Sequence, residues 1–129
     1  MTQEQRELLL KDLCARLPYG VKIQIKNEIV VLDSVCDDDG YHFNFIGDDK
    51  EGVNIEQIKP YLFPMSSMTD EQKNELNQLF KMSLKVLMAE IDDKEVNTFE
   101  FDFYNKYHLD WRGLIPKGLA LDATGLNIY

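Results

Sequence analysis

Near the start of the chain, apolar residues recur at three- and four-residue steps: Leu9, Leu10, Leu13, Cys14 and Leu17. This spacing predicts a helix with one buried stripe that includes Cys14. Thr2 and Gln5 stand ahead of it in capping-box spacing, and Pro18 with Gly20 ends it. From Val21 the period falls to two. Val21, Ile23 and Ile25 alternate with Lys22, Gln24 and Lys26, the mark of a half-buried strand. After a turn at Asn27 and Glu28, the β-branched run "IVVLDSV" from Ile29 to Val35 makes a second strand. "DDDG" turns again, and Tyr41, Phe43 and Phe45 alternate in a third. The expected unit is an antiparallel meander, and a sheet this small curls toward an SH3-like barrel. Val53 and Ile55 suggest a short fourth strand, whereas "IKPYLFPM" carries two prolines and is expected to stay out of a sheet centre.

The second half is dominated by one long amphipathic pattern. Thr69 and Gln72 repeat the capping-box spacing, Asp70 and Glu71 suit the positive end of a helix dipole, and Leu76, Leu79, Phe80, Leu84, Leu87, Met88 and Ile91 mark one face over about five turns. The segment "TFEFDFYNKYHL" fits two periods. Phe99, Phe101 and Phe103 alternate as in a strand, while Phe99, Phe103, Tyr104 and Tyr107 share a helical face. Further on, "LALDA" reads as an edge strand. The pattern as a whole predicts a single α+β domain over residues 1–129: a small sheet flanked by an N-terminal helix, a long central helix and a shorter aromatic one.

Three blocks resemble small proteins of unassigned activity encoded in gut Bacteroidales genomes and their phages or prophages: "LLLKDLCARLPYGVK" (Leu8 to Lys22), "IKPYLFPMSSMT" (Ile58 to Thr69) and "HLDWRGLIPKGLAL" (His108 to Leu121). The resemblance implies a bacterial or phage origin, hence a cytoplasmic protein, and an accessory or host-interference role. It also implies a helix over Thr98 to His108. Where the relatives carry an acid this chain has Pro116, so no continuous helix is expected through "RGLIPKG".

Charge narrows the function. The 129 residues carry 23 acids and 14 bases, a net −9, with the bases scattered singly, so phosphate backbones meet a repulsive field and nucleic acid is not an expected partner. Cys14 and Cys36 form no C-x-x-C pair, which suggests neither a disulfide framework nor a zinc site. No segment has the roughly 18 apolar residues needed to span a membrane. "CDDDGYH" (Cys36 to His42) offers metal-ligand types, yet an EF-hand register with Gly40 at the sixth position puts Val35 first and Ile46 twelfth, where oxygen ligands are required. "GDDKEG" fails the same test, so both are expected to be acidic turns, with no metal and no cofactor. Their charge is concentrated: Asp37, Asp38, Asp39, Asp48, Asp49, Glu51 and Glu56 against Lys50 give a net −6 of the total −9. If the loops share one side of the sheet, that side is a surface for a basic protein.

Two other constellations stand out. His108, Asp110 and Arg112 are catalytic candidates only if the chain turns, because residues two apart on a helix face away from one another and only a turn brings His108 to Asp110. The alternative is structural: Asp110 caps a short helix after it, Arg112 makes an ion pair, and Trp111 packs with Leu114 and Ile115 against the long helix. Phe101, Tyr104 and Trp111 form a candidate aromatic patch for a partner or for self-association. The expected function is a non-enzymatic protein-interaction module acting through the acidic loops. The alternatives are a small ligand-binding or regulatory domain with a pocket beneath Tyr41 and Phe43 and, third, an enzyme using His108 and Asp110.

Overall fold

The computed structural model describes residues 1–37, 41–47, 52–88 and 93–129, with the side chains of 37, 41 and 83–98 outside the description. The fold is α+β. Helix α1 (Gln3–Arg16) leads to strands β1 (Lys22–Ile25), β2 (Glu28–Asp37), β3 (Tyr41–Phe45) and β4 (Ile58–Leu62), then helices α2 (Asp70–Met88) and α3 (Asp93–Lys106) and a two-residue strand β5 (Leu121–Asp122). The strands form one sheet in the order β3-β2-β1-β4-β5. The first four pair antiparallel and β5 joins β4 in parallel, so the sheet is mixed and open, not closed into a barrel.

Both expected capping boxes form. Thr2 Oγ1 accepts the Gln5 amide at 3.1 Å, Gln5 Oε1 takes the Thr2 amide at 3.0 Å, and Thr69 and Gln72 repeat the exchange. Gly20, at φ 67°, turns the chain after Pro18, as a residue without Cβ can. In the meander, Phe43 lies opposite Val35 and Phe45 opposite Leu32. Phe43 and Phe45 share a face of β3, but positions 32 and 35 differ by an odd number, so one extra residue must be absorbed. The register shift between Leu32 and Ser34 absorbs it and keeps Leu32 and Val35 against the same core.

Two expectations for the middle of the chain are overturned. Residues Ile55–Gln57 form a 3-10 turn, capped by Asn54 and Gln57, in place of the fourth strand that Val53 and Ile55 suggest. The proline-bearing run Ile58–Leu62 is instead a strand inside the sheet, between β1 and β5. The register explains how Pro60 is tolerated. Ile23 lies opposite Pro60, the last pair of the ladder, so Lys22 and Tyr61 stand at the next position beyond it. At that position the Lys22 amide and the Tyr61 carbonyl point into the gap between the strands, where both bond the Tyr129 hydroxyl. Pro60 therefore occupies an alternate position that needs no N–H toward β1, and β5 reaches only Tyr61 and Leu62.

The main core joins Leu9 and Leu13 of α1 to the inner face of the sheet and to Leu114, Leu119 and Ala120. A second cluster gathers Phe103, Tyr104 and Leu109 with Phe63, Met65, Leu76, Leu79 and Trp111. Thr98 to Lys106 is helical, within α3, and "RGLIPKG" is a run of turns. Cys14 is exposed, not buried. The inward stripe of α1 is Leu9, Asp12, Leu13 and Arg16, one notch round from the expected one.

Candidate functional site

The rotated stripe of α1 brings two charges into the interior. Asp12 and Arg16 are one helical turn apart, both fully buried, with Arg16 Nε donating to Asp12 Oδ2 at 2.8 Å. Arg16 Nη2 also donates to the Leu109 carbonyl at 2.6 Å, and Arg112 Nε lies 3.2 Å from Asp12 Oδ1. Burial pushes the Asp12 carboxyl up despite the two arginines beside it. Helix α1 is thereby tied to the segment after α3.

That segment begins with a left-handed histidine. The Leu109 amide donates to the Tyr104 carbonyl at 2.8 Å, the His108 amide to the Asn105 carbonyl at 3.2 Å, and His108 has φ 57°. These are the two bonds of a Schellman cap, with His108 where glycine usually stands and Leu109 packed beside Tyr104. The chain then runs along Phe63, whose amide donates to the His108 carbonyl and whose carbonyl accepts from the Asp110 amide, both at 2.8 Å. The Asp110 carboxylate accepts the Leu114 amide at 2.7 Å and the Ile115 amide at 2.9 Å, closing the turn around Gly113.

The chain does turn at this junction, but it makes no His108–Asp110 dyad. Both Asp110 oxygens are taken by backbone amides. The imidazole of His108, 8% exposed, stacks on Tyr129 with centroids 3.7 Å apart and planes at 16°. Burial foremost, then the positive charges of Arg16 and Lys22, lower its pKa to about 4. His108 is therefore neutral at neutral pH, with Nδ1 buried and no partner among the described residues. Tyr129 supplies the other half of the contact. Its hydroxyl accepts from the Lys22 amide and donates to the Tyr61 carbonyl, each at 2.8 Å, and its burial pushes the phenol up to about 12.

The third catalytic candidate, Arg112, is likewise engaged in contacts within the fold. Arg112 pairs with Asp12, and its guanidinium lies 4.0 Å above the Trp111 ring. Trp111 Nε1 donates to Asn105 Oδ1 at 3.0 Å, and the ring also meets Phe101 in a tilted contact, with centroids at 4.5 Å and planes at 35°. Trp111 belongs to the second cluster, whereas Leu114 and Ile115 pack into the first, so the expected grouping of these three splits between two cores. The aromatic patch is likewise divided. Phe101 is exposed, Trp111 half-buried, and Tyr104 buried with its hydroxyl donating to Glu100 at 2.6 Å.

Of the acidic candidates, Asp37 is the last residue of β2 with its side chain outside the description, and Asp38, Asp39, Asp48, Asp49 and Glu51 lie outside the described residues. The acidic stretches join β3 at opposite ends, 37–40 before Tyr41 and 48–51 after Phe45, so their points of attachment are separated by a five-residue strand, roughly 17 Å. A groove of about 330 Å³ borders His42, Phe43 and residues 52–55. Among the described residues no group of three or more His, Cys, Asp or Glu side chains could hold a metal ion.

Asp12, Arg16, Asn105 and Tyr129 make contacts in this junction that the sequence pattern does not single out. The legible signal for the first two is their four-residue spacing in step with Leu9 and Leu13. Comparison of the chain with protein-family models, with curated proteins and with solved structures returned no match.

Proposed function

We propose that this chain is a non-enzymatic protein-interaction module, of bacterial or phage origin and cytoplasmic, that engages a basic partner protein through its acidic residues. The observation that carries this reading is the concentration of a net −6 within residues 37–56, on the stretches that enter and leave β3, an edge strand of the sheet. Such a field speeds encounter with a positively charged protein and repels nucleic acid. The commitment of His108, Asp110 and Arg112 to stacking, capping and ion pairing supports the same reading, since these residues were the basis for an enzymatic one. The resemblance to Bacteroidales and phage proteins supports the origin and an accessory or host-interference role. No described helix is long and apolar enough to cross a membrane.

The test is capture from a Bacteroidales lysate by the wild-type chain and by a variant with Asp37, Asp38, Asp39, Asp48 and Asp49 changed to Asn. The expected result is a basic protein retained by the wild type, released by rising salt and absent from the variant's eluate. Identical captures by the two chains remove the reading.

A further inference from the structure

Beyond Ala123 the chain is held by few contacts. Thr124, Gly125, Leu126 and Asn127 are exposed, and the local bonds are the Leu126 amide to the Ala123 carbonyl at 3.1 Å and the Thr124 amide to Asp122 Oδ1 at 2.8 Å. Attachment to the body converges on the last two residues. Lys22 Nζ donates to the Ile128 carbonyl and stands 5.5 Å from the Tyr129 ring centroid, which lies 5.8 Å from Phe63 and 3.7 Å from His108. The Tyr129 hydroxyl meets the end of the ladder between β1 and β4 at Lys22 and Tyr61, taking the amide of one strand and giving its proton to the carbonyl of the other.

We propose that residues 125–129 form a detachable strap, and that the socket under Tyr129 is a binding site for a tyrosine-bearing extended peptide segment, filled here in cis. The socket is selective by chemistry. His108 and Phe63 flank an aromatic ring, Lys22 Nζ reads a backbone carbonyl one residue before it, and the gap in the ladder requires a group that both accepts and donates. A phenylalanine side chain fills the slot but leaves an amide and a carbonyl unbridged. A phosphorylated tyrosine has no hydroxyl proton to give to Tyr61. Between Ala123 and Ile128 the exposed residues hold only local bonds, so opening requires release at Ile128 and Tyr129 alone and leaves the rest of the fold in place. None of this rests on the acidic-surface reading.

The experiment uses the full chain carrying Tyr129→Ala and an acetylated Gly-Leu-Asn-Ile-Tyr peptide in trans, with the His108 ring protons followed by NMR. Loss of the stacked ring moves the His108 signals in the variant, and the peptide is expected to return them to their wild-type positions. A peptide ending in phenylalanine should bind at least about fivefold more weakly, and a phosphotyrosine peptide should not restore the signals. Unrestored signals at millimolar peptide, with the β1 and β2 amides still protected, overturn the proposal. If the alanine variant does not fold, the Tyr129→Phe chain keeps the ring. There the tyrosine peptide must displace the substituted side chain and slow hydrogen exchange at the Lys22 amide, and unchanged exchange overturns the proposal equally.

Discussion

Replacing Arg16 by methionine removes a side chain that touches both α1's buried carboxylate and the backbone after α3. The 2.8 Å bond to Asp12 and the 2.6 Å bond to the Leu109 carbonyl are both lost. Breaking a buried ion pair from one side costs about 3–5 kcal/mol, and Arg112, 3.2 Å from the other Asp12 oxygen, holds this case to the lower end. The abandoned Leu109 carbonyl adds roughly 1–2 kcal/mol. The expected cost is about 4–5 kcal/mol, a large share of the roughly 5–15 kcal/mol typical of a domain. Asp12→Leu should cost more. The carboxyl left behind in the arginine variant can take up a proton, whereas a buried guanidinium cannot give one up. The double variant Asp12→Leu, Arg16→Met removes both charges and should recover much of the loss, leaving Arg112, whose side chain is 18% exposed, to turn toward water. Urea titrations followed by Trp111 fluorescence and by far-ultraviolet circular dichroism, with coincident transitions, measure all three. An Arg16→Met cost below about 1 kcal/mol, or a double variant no better than the worse single one, would refute the picture of Arg16 as a buried tie.

Three further outcomes are expected from the same contacts. His108 has a folded pKa near 4, below its ordinary 6.5, so its contribution to stability is complete above pH 6.5 and is lost as pH falls toward 4. The loss is at most about 2 kcal/mol by pH 5, less for the part of the ring that water screens. Asp12 pulls the other way, so the measurement is the difference from His108→Asn, which tolerates the left-handed backbone and should flatten the profile; parallel profiles remove the assignment. Asp110→Ala frees the Leu114 and Ile115 amides and should lower stability by about 1–3 kcal/mol in urea titration, with faster hydrogen exchange at those two amides; unchanged exchange there contradicts the cap. Pro60→Val should change stability by less than about 1 kcal/mol in the same titration, since that position needs no N–H toward β1, and a larger destabilisation means the inferred register alternation is wrong.

Local chemistry is legible in the sequence wherever one residue type has one use. Thr2 with Gln5, Thr69 with Gln72, and the strict alternation of Val21, Ile23 and Ile25 all predict what forms. The α1 stripe is misplaced by an apolar count because that count treats Asp12 and Arg16 as outward, and only long-range pairing with Arg112 and Leu109 lets them face in. Pro60 misleads for a related reason: a proline's effect depends on which alternate position of the ladder it occupies, and the register is set by β1. The candidate site suffers most. The contacts of His108 and Arg112 are fixed by Tyr129 and by α1, residues far away in sequence, whereas the Asp110 carboxylate bonds the nearby Leu114 and Ile115 amides.

The tie between Arg16 and Leu109 spans 93 positions, and that between Lys22 and Tyr129 spans 107. A ribosome finishes α1 long before either partner exists. During that interval the face of α1 that will be buried displays an aspartate and an arginine beside its leucines, so the waiting helix is less prone to stick to other chains than an all-leucine stripe would be. Closing such distant loops is slow relative to forming a helix or a hairpin. The meander can therefore assemble first, and α1, the earliest element made, is expected to be the last to gain protection when refolding is followed by pulsed hydrogen exchange.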